Sequence, residues 1–271
     1  MKRVVVSGSF DDLRSSHVRF LEASARLGDV HVLLWSDETA RSVEGTPPKF
    51  PQAERQYLVA SIRYVEKVTL VEGELDPNAL PQLDATKTDI WVVNGKNDAT
   101  QKRAFCKSRG LEYRVLADKD LAGFPVPKPE PSAPGRKKVI VTGCYDWFHS
   151  GHVRFFEEVS RLGDLYVVVG HDDNIRLLKG EGHPLFPQDE RRYMAGAVRY
   201  VKQALISTGH GWMDAEPEIG RIKPDMYAVN EDGDKPEKRE FCQQHGLQYI
   251  VLKRTPKEGL AQRSGTSLRG F

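Results

Sequence analysis

The sequence predicts an α/β chain of two tandem domains, each a parallel sheet with flanking helices. Three observations carry that expectation. The chain repeats itself at an offset of 135, then 136 residues: LGDVHVLLWSDE returns as LGDLYVVVGHDD, and KFPQAERQYLVASIRYV returns as LFPQDERRYMAGAVRYV. A period this long marks duplicated domains, not a solenoid. Within each copy, short apolar runs alternate with helical patterns, the signature of strands joined by crossover helices. Between the copies lies FPVPKPEPSAPGRKK, whose prolines favour an extended, semi-rigid spacer. The expected boundaries are 1–123 for the first domain, 124–136 for the linker and 137–271 for the second domain.

In the second copy the strand candidates are 137–142, 165–170, 203–206, 225–229 and 248–252. Segments 151–162 and 188–201 place apolar residues at helical spacing, and Gly163 suits a helix stop. Ligands of such folds sit beyond the carboxyl ends of the strands, where the strand order reverses. The segment GCYDWFHSGHVRF, 143–155, leaves the first strand and enters the first helix at that place.

Composition excludes several function classes. With 271 residues and a net charge of +2, the chain has room for two cores and no basic tract suited to nucleic acid. No apolar run approaches the roughly eighteen residues that span a bilayer, and MKRVVVSGSF reads as a first strand, not a signal peptide. Cys106 and Cys242 occupy matching places in the two copies and are poorly placed to bridge each other. With no CxxC spacing, a disulfide framework and a structural zinc site are both unsupported, and a cytoplasmic, reducing compartment is expected.

A helix N-terminus attracts phosphate through unpaired backbone donors and a partial positive charge. His149 and His152 bracket such a terminus and can donate to phosphate oxygens, while Gly151 lets a ligand approach the backbone. Lone histidines there would be caps or core residues; the paired spacing behind an apolar strand favours the ligand.

TGCYDWFHSGH resembles the signature of the cytidylyltransferase-like nucleotidyltransferases, a strand followed by G-x-[FY]-D-x-x-H-x-G-H. LLKGEGHPLFPQDERRYM, with Lys179, Glu190 and Arg191, is similar to that family's lysine-glycine and glutamate-arginine segments. RYVKQALISTGHGW resembles its R-Y-V segment and following tryptophan, and RSGTSLRG its terminal S-T-[ST]-x-[IL] element, with Gly265 where threonine is usual. Phosphoethanolamine and phosphocholine cytidylyltransferases look nearest; glycerol-3-phosphate cytidylyltransferase and heptose-1-phosphate adenylyltransferases are more distant.

The resemblance implies two tandem Rossmann-like nucleotidyltransferase domains and a defined reaction. A phosphate oxygen of a small phosphorylated alcohol or sugar attacks the α-phosphorus of a nucleoside triphosphate, CTP more than ATP, and pyrophosphate leaves. That nucleophile is anionic already, so no general base is needed. The implied catalytic residues are His149, His152 and Lys179. Thr266, Ser267 and Arg269 would clamp the β- and γ-phosphates, and Gly143, Cys144, Tyr145, Gly151, Arg191 and Ser264 would complete the nucleotide site. Mg²⁺ would accompany the phosphates, held by them and by water, with no protein metal site. Asp146 and Trp147 either face the acceptor or, for Asp146, cap the turn. Asp172, Asp173 and Asn174 lie near a ribose or in a solvated loop. Arg191 touches nucleotide or braces a helix. His171, His183 and His210 are expected at the surface.

The first copy departs at the same places. Arg14 stands for His149, Ser16 for Gly151, Glu44 for Lys179 and Ala99 for Lys235, and no terminal S-G-T-S-L-R follows. A negative charge beside a polyanion repels it, so this copy is expected to be catalytically silent. It keeps Arg63-Tyr64-Val65, equivalent to Arg199-Tyr200-Val201, which in relatives lies near a two-fold contact; the resemblance implies an intramolecular pseudo-dimer of the copies. Two alternatives stay open: an adenylyltransferase making an ADP-sugar, and a nucleotide-binding sensor or scaffold without turnover.

Overall fold

The computed structural model describes residues 1–81, 88–126, 131–265 and 268. The chain divides into two compact units, Met1–Gly123 and Phe124–Phe271. In the first, the elements run β1 (Arg3–Gly8), α1 (Ser15–Ala25), β2 (Asp29–Trp35), α2 (Asp37–Glu44), α3 (Gln52–Ala60), β3 (Val65–Val71), β4 (Ile90–Asn94), α4 (Thr100–Arg109), β5 (Glu112–Leu116) and α5 (Asp118–Leu121). In the second they run β6 (Lys138–Gly143), α6 (Ser150–Val159), β7 (Asp164–Val169), α7 (Asp172–Lys179), α8 (Gln188–Gly196), β8 (Val201–Ile206), α9 (Glu216–Ile222), β9 (Met226–Asn230), α10 (Pro236–Gln244) and β10 (Gln248–Leu252).

Each unit holds one five-stranded parallel sheet, ordered β3-β2-β1-β4-β5 and β10-β9-β6-β7-β8. The order reverses between β1 and β4, and again between β6 and β9. These are two tandem Rossmann-like domains. Central strands of such sheets are covered on both faces and so read as continuous apolar runs. Val139, Ile140 and Val141 are fully buried, as are Val4 and Val6 of the first unit. Strand β6 pairs with β7 along its whole length, from Lys138 with Asp164 to Gly143 with Val169. Against β9 it pairs only at Val139 with Met226 and Ile140 with Tyr227. Beyond that point the two strands part, and the crevice between their carboxyl ends becomes a cleft.

Several boundaries differ from the sequence expectation for identifiable reasons. Helix α8 stops at Gly196, short of Val201, because Val201 is needed in the sheet, where it pairs with Leu165 and is 2% exposed. The Arg199-Tyr200-Val201 segment is therefore a turn leading into a strand, not part of a helix. Gly163 does not close α6, which ends at Val159. It lets the chain pass Lys137: a Cβ there would lie 2.3 Å from the Lys137 carbonyl oxygen, which accepts from the Asp164 amide at 2.8 Å. The start of the expected spacer is fixed to the second unit. Buried Arg192 donates to the Phe124 carbonyl at 2.7 Å, and the Phe124 ring packs on Tyr193. No helix among the described residues is long and apolar enough to cross a membrane.

Because backbone and not a flexible side chain opposes a Cβ at residue 163, Gly163→Ala is expected to destabilise the second unit by roughly 1–3 kcal/mol. Thermal unfolding checks this; a melting temperature lowered by several degrees is the expected result.

Candidate active site

The loop leaving β6 is shaped by a strained residue. Tyr145 adopts φ 51°, left-handed backbone that a bulky residue rarely takes. Its ring turns inward, 5.2 Å from the rings of both His152 and Phe156. A Cβ at Gly143 would come within 2.8 Å of that ring, so glycine is required there. Phe10 of the first unit has φ 47° and the same setting.

Asp146 is tied to the loop after α7: its Oδ1 accepts from the Leu185 and Phe186 amides at 2.8 and 3.0 Å. In the first unit Asp11 accepts likewise from Lys49 and Phe50. Shared with the copy that lacks the histidine pair, this bond pattern is a tether of the turn, the capping alternative for Asp146, which also lines the cleft. Trp147 lines the cleft and rests edge-on against Phe186.

His149 is the N-cap of α6. Its Nδ1 accepts from the Gly151 amide at 3.1 Å, which leaves the ring proton on Nε2. Gly151 makes the arrangement possible, because a Cβ there would lie 2.9 Å from the imidazole. His152, one turn on, stacks on His149 with ring centres 3.9 Å apart. Among the described residues, buried Nε2 of His149 and Nδ1 of His152 have no hydrogen-bond partner. Burying a polar group unpaired costs free energy that a ligand can return.

Electrostatics keep both rings neutral without ligand. Burial, with Arg254 and Arg263 adding repulsion, pushes the His149 pKa down to about 3. Burial, His149, Arg254 and Lys179 hold His152 well below its ordinary value. Burial also raises the Cys144 thiol above its ordinary value, so it faces the cleft as a neutral group.

The cleft has a volume of about 380 Å³. Gly143, Cys144, Tyr145, His149, Gly151 and His152 form one wall; Lys179, Ser264 and Gly265 also reach it. Lys179, at the exposed end of α7, has no ion-pair partner among the described residues. The sequence-predicted histidines, glycines and lysine are thus brought together around one space. Thr266, Ser267 and Arg269 lie outside the described residues.

Arg191 is not part of that wall. It is 1% exposed, and its guanidinium donates to the carbonyls of Phe186, Cys144 and Gly170 and to the Asp172 carboxylate. Arg55 repeats the pattern with Phe50, Ser9 and Asp37. With its donors committed to protein, Arg191 braces three loops, which corrects the expected nucleotide contact. Asp172 is consumed by that brace, and buried Asn174 holds Gly211, so neither waits for a ribose.

Sequence reasoning missed four contributors. His183, expected at the surface, lines the cleft, as do Asn230, Lys238 and Arg254. Arg254 is steadied by Asp232 at 2.5 Å and the Arg263 carbonyl at 2.8 Å. Asn230 ends β9, three residues beyond its last pairing with β6 at Tyr227.

Two outcomes follow from these bonds. Arg191→Met leaves a carboxylate and three carbonyls without their cation, and is expected to cost about 3 kcal/mol or more, measured by urea unfolding. His149 titrates near 6.5 when unfolded but near 3 when folded. The unfolded state then binds more protons in that window, so stability is full above pH 6.5 and falls as pH drops towards 3. The slope is expected to reach about 1.4 kcal/mol per pH unit for one such group, and His149→Gln to flatten it.

The family described as Cytidylyltransferase-like matches residues 5–117 and 140–264. An FAD synthase of Ferroglobus placidus is 35% identical over 125 residues, 45% of this chain and 78% of that protein. An FAD synthase of Thermococcus kodakarensis is 35% identical over 44% of this chain and 80% of its own length. A bifunctional protein HldE of Campylobacter concisus is 35% identical over 37% of this chain, but only 21% of its own length. These relatives are named for FAD synthase and HldE, not for the phosphoethanolamine or phosphocholine enzymes that the sequence resemblance puts nearest. Family matches covering both units, on two sheets of one topology, show that the chain belongs to the cytidylyltransferase-like family.

Proposed function

We propose that the second unit is a nucleotidyltransferase that moves a nucleoside monophosphate from a nucleoside triphosphate to a small phosphorylated acceptor. The observation that carries this reading is the stacked pair His149 and His152, each with a buried ring nitrogen that lacks a partner among the described residues, beside Lys179. An acceptor phosphate oxygen attacks the α-phosphorus, the bond from that phosphorus to the α,β-bridging oxygen breaks, and pyrophosphate departs with the electron pair. The nucleophile is already an anion, so the work left to the protein is alignment and dispersal of negative charge.

His149 Nε2–H is a fixed donor at the start of α6, where the helix dipole also favours an anion. His152, held neutral by its surroundings, becomes easier to protonate as negative charge arrives. Lys179 supplies a mobile point charge at the end of α7. No group of three or more His, Cys, Asp or Glu side chains that could hold a metal occurs among the described residues. Mg²⁺ would therefore enter as part of the triphosphate substrate.

The name FAD synthase, borne by several relatives, favours ATP as donor, since FAD contains an adenylate. CTP is the second reading, favoured by the family's description. The experiment is pyrophosphate release from ATP or CTP with a panel of acceptors comprising FMN, sugar phosphates and phosphorylated alcohols. His149→Ala or His152→Ala is expected to lower kcat by roughly 10²–10³-fold, with far-ultraviolet circular dichroism unchanged. Release with no donor and acceptor pair would overturn the proposal and favour a nucleotide-binding sensor.

A further inference from the structure

The first unit also holds a cleft of about 380 Å³ at the carboxyl ends of β1 and β4. Although the copy has lost the phosphate-binding pair, this space has not closed. Two cationic positions are reversed in sign. Glu44 lines the cleft where Lys179 lines the other, and Asp118 stands at the position of Arg254. Arg14, at the position of His149, donates to Asp12 at 2.7 Å and is not among the cleft-lining residues. One cation is kept: Lys102 matches Lys238, and each donates to a loop carbonyl, of Asn97 at 2.8 Å and of Gly233 at 3.1 Å, and lies over a strand aromatic, Trp91 and Tyr227. A polyphosphate would meet an acid where it needs a base.

An aromatic plate has been added. Trp35 lines this cleft at the position of Gly170, where the second unit has no room even for a Cβ, which would lie 2.7 Å from Ile175. The indole is fixed in place, with Nε1–H donating to Ser7 Oγ at 2.7 Å, so little ordering entropy remains to be lost on stacking. His17 offers a neutral donor: its Nδ1 accepts from the Arg14 amide at 3.1 Å, leaving the proton on Nε2, and burial lowers its pKa. Glu44 is exposed and carries acceptor oxygens only. A planar heterocycle bearing hydroxyl groups and no phosphate matches this combination of plate, neutral donor and carboxylate.

We propose that the first unit's cleft binds an unphosphorylated nucleoside, with its base against Trp35 and its ribose hydroxyls donated to Glu44. This lies beyond the catalytic reading of the second unit and does not depend on it. The test is calorimetric titration of the full chain with adenosine and cytidine, and with AMP and CMP for comparison. Saturable nucleoside binding is expected. Trp35→Leu should weaken it by roughly 5- to 100-fold, the range for one stacked base, with pyrophosphate release unaffected. Glu44→Lys, at an exposed helix end, should weaken nucleoside binding and strengthen monophosphate binding. Absence of saturable nucleoside binding would overturn the proposal, as would binding that neither substitution alters. So would monophosphates bound as tightly as nucleosides in a manner sensitive to Trp35→Leu. The exposed Glu44 variant keeps the test decisive should Trp35→Leu fail to fold.

Discussion

The fit of one imidazole over one glycine governs the cleft of the second unit. His149 can cap α6 through Nδ1 only while residue 151 has no side chain. That bond sets the tautomer, with the proton on buried Nε2, and places the ring for stacking by His152. The Tyr145 ring beneath, possible only because Gly143 gives it room, supports His152 in turn. Five residues, Gly143, Tyr145, His149, Gly151 and His152, therefore form a chain of mutual steric permission. In the first unit, Arg14 and Ser16 break two links of that chain together, while Phe10 keeps the loop conformation. The two units differ there in fit as well as in charge.

The cleft itself depends on a feature of topology. Strands β6 and β9 share only two paired positions before parting, and the space they release receives the loops after β6, α7 and β10. Both units have this geometry, so the scaffold is indifferent to whether phosphate chemistry takes place in it. Side chains at the mouth decide.

Much of this was legible in the sequence. The repeat, the alternation of runs and the HSGH spacing placed the strands, the switch point and the histidine pair, because each depends on residues close together in the chain. Residues brought in from a distance were harder to read. Arg254, Asn230 and Lys238 approach the cleft across more than 75 residues of chain, and no local pattern marks them. Arg191 misled for the opposite reason: its segment resembles a functional motif, but its place in the middle of a brace is visible only when the carbonyls of Phe186, Cys144 and Gly170 are seen to converge on it. For Asp146 the sequence left acceptor contact and turn cap open, and the two backbone amides on its Oδ1 show the tether, which no local pattern marks.

The arginine brace has an evolutionary corollary. Arg55 and Arg191 hold the rims of their clefts through main-chain carbonyls and one carboxylate each, Asp37 and Asp172, and so are blind to the identity of the other side chains around them. A duplicated copy released from its original task can then exchange its upper residues freely without slackening the frame beneath. Such a hub makes the fold a durable mount on which old chemistry can be erased and new recognition tried.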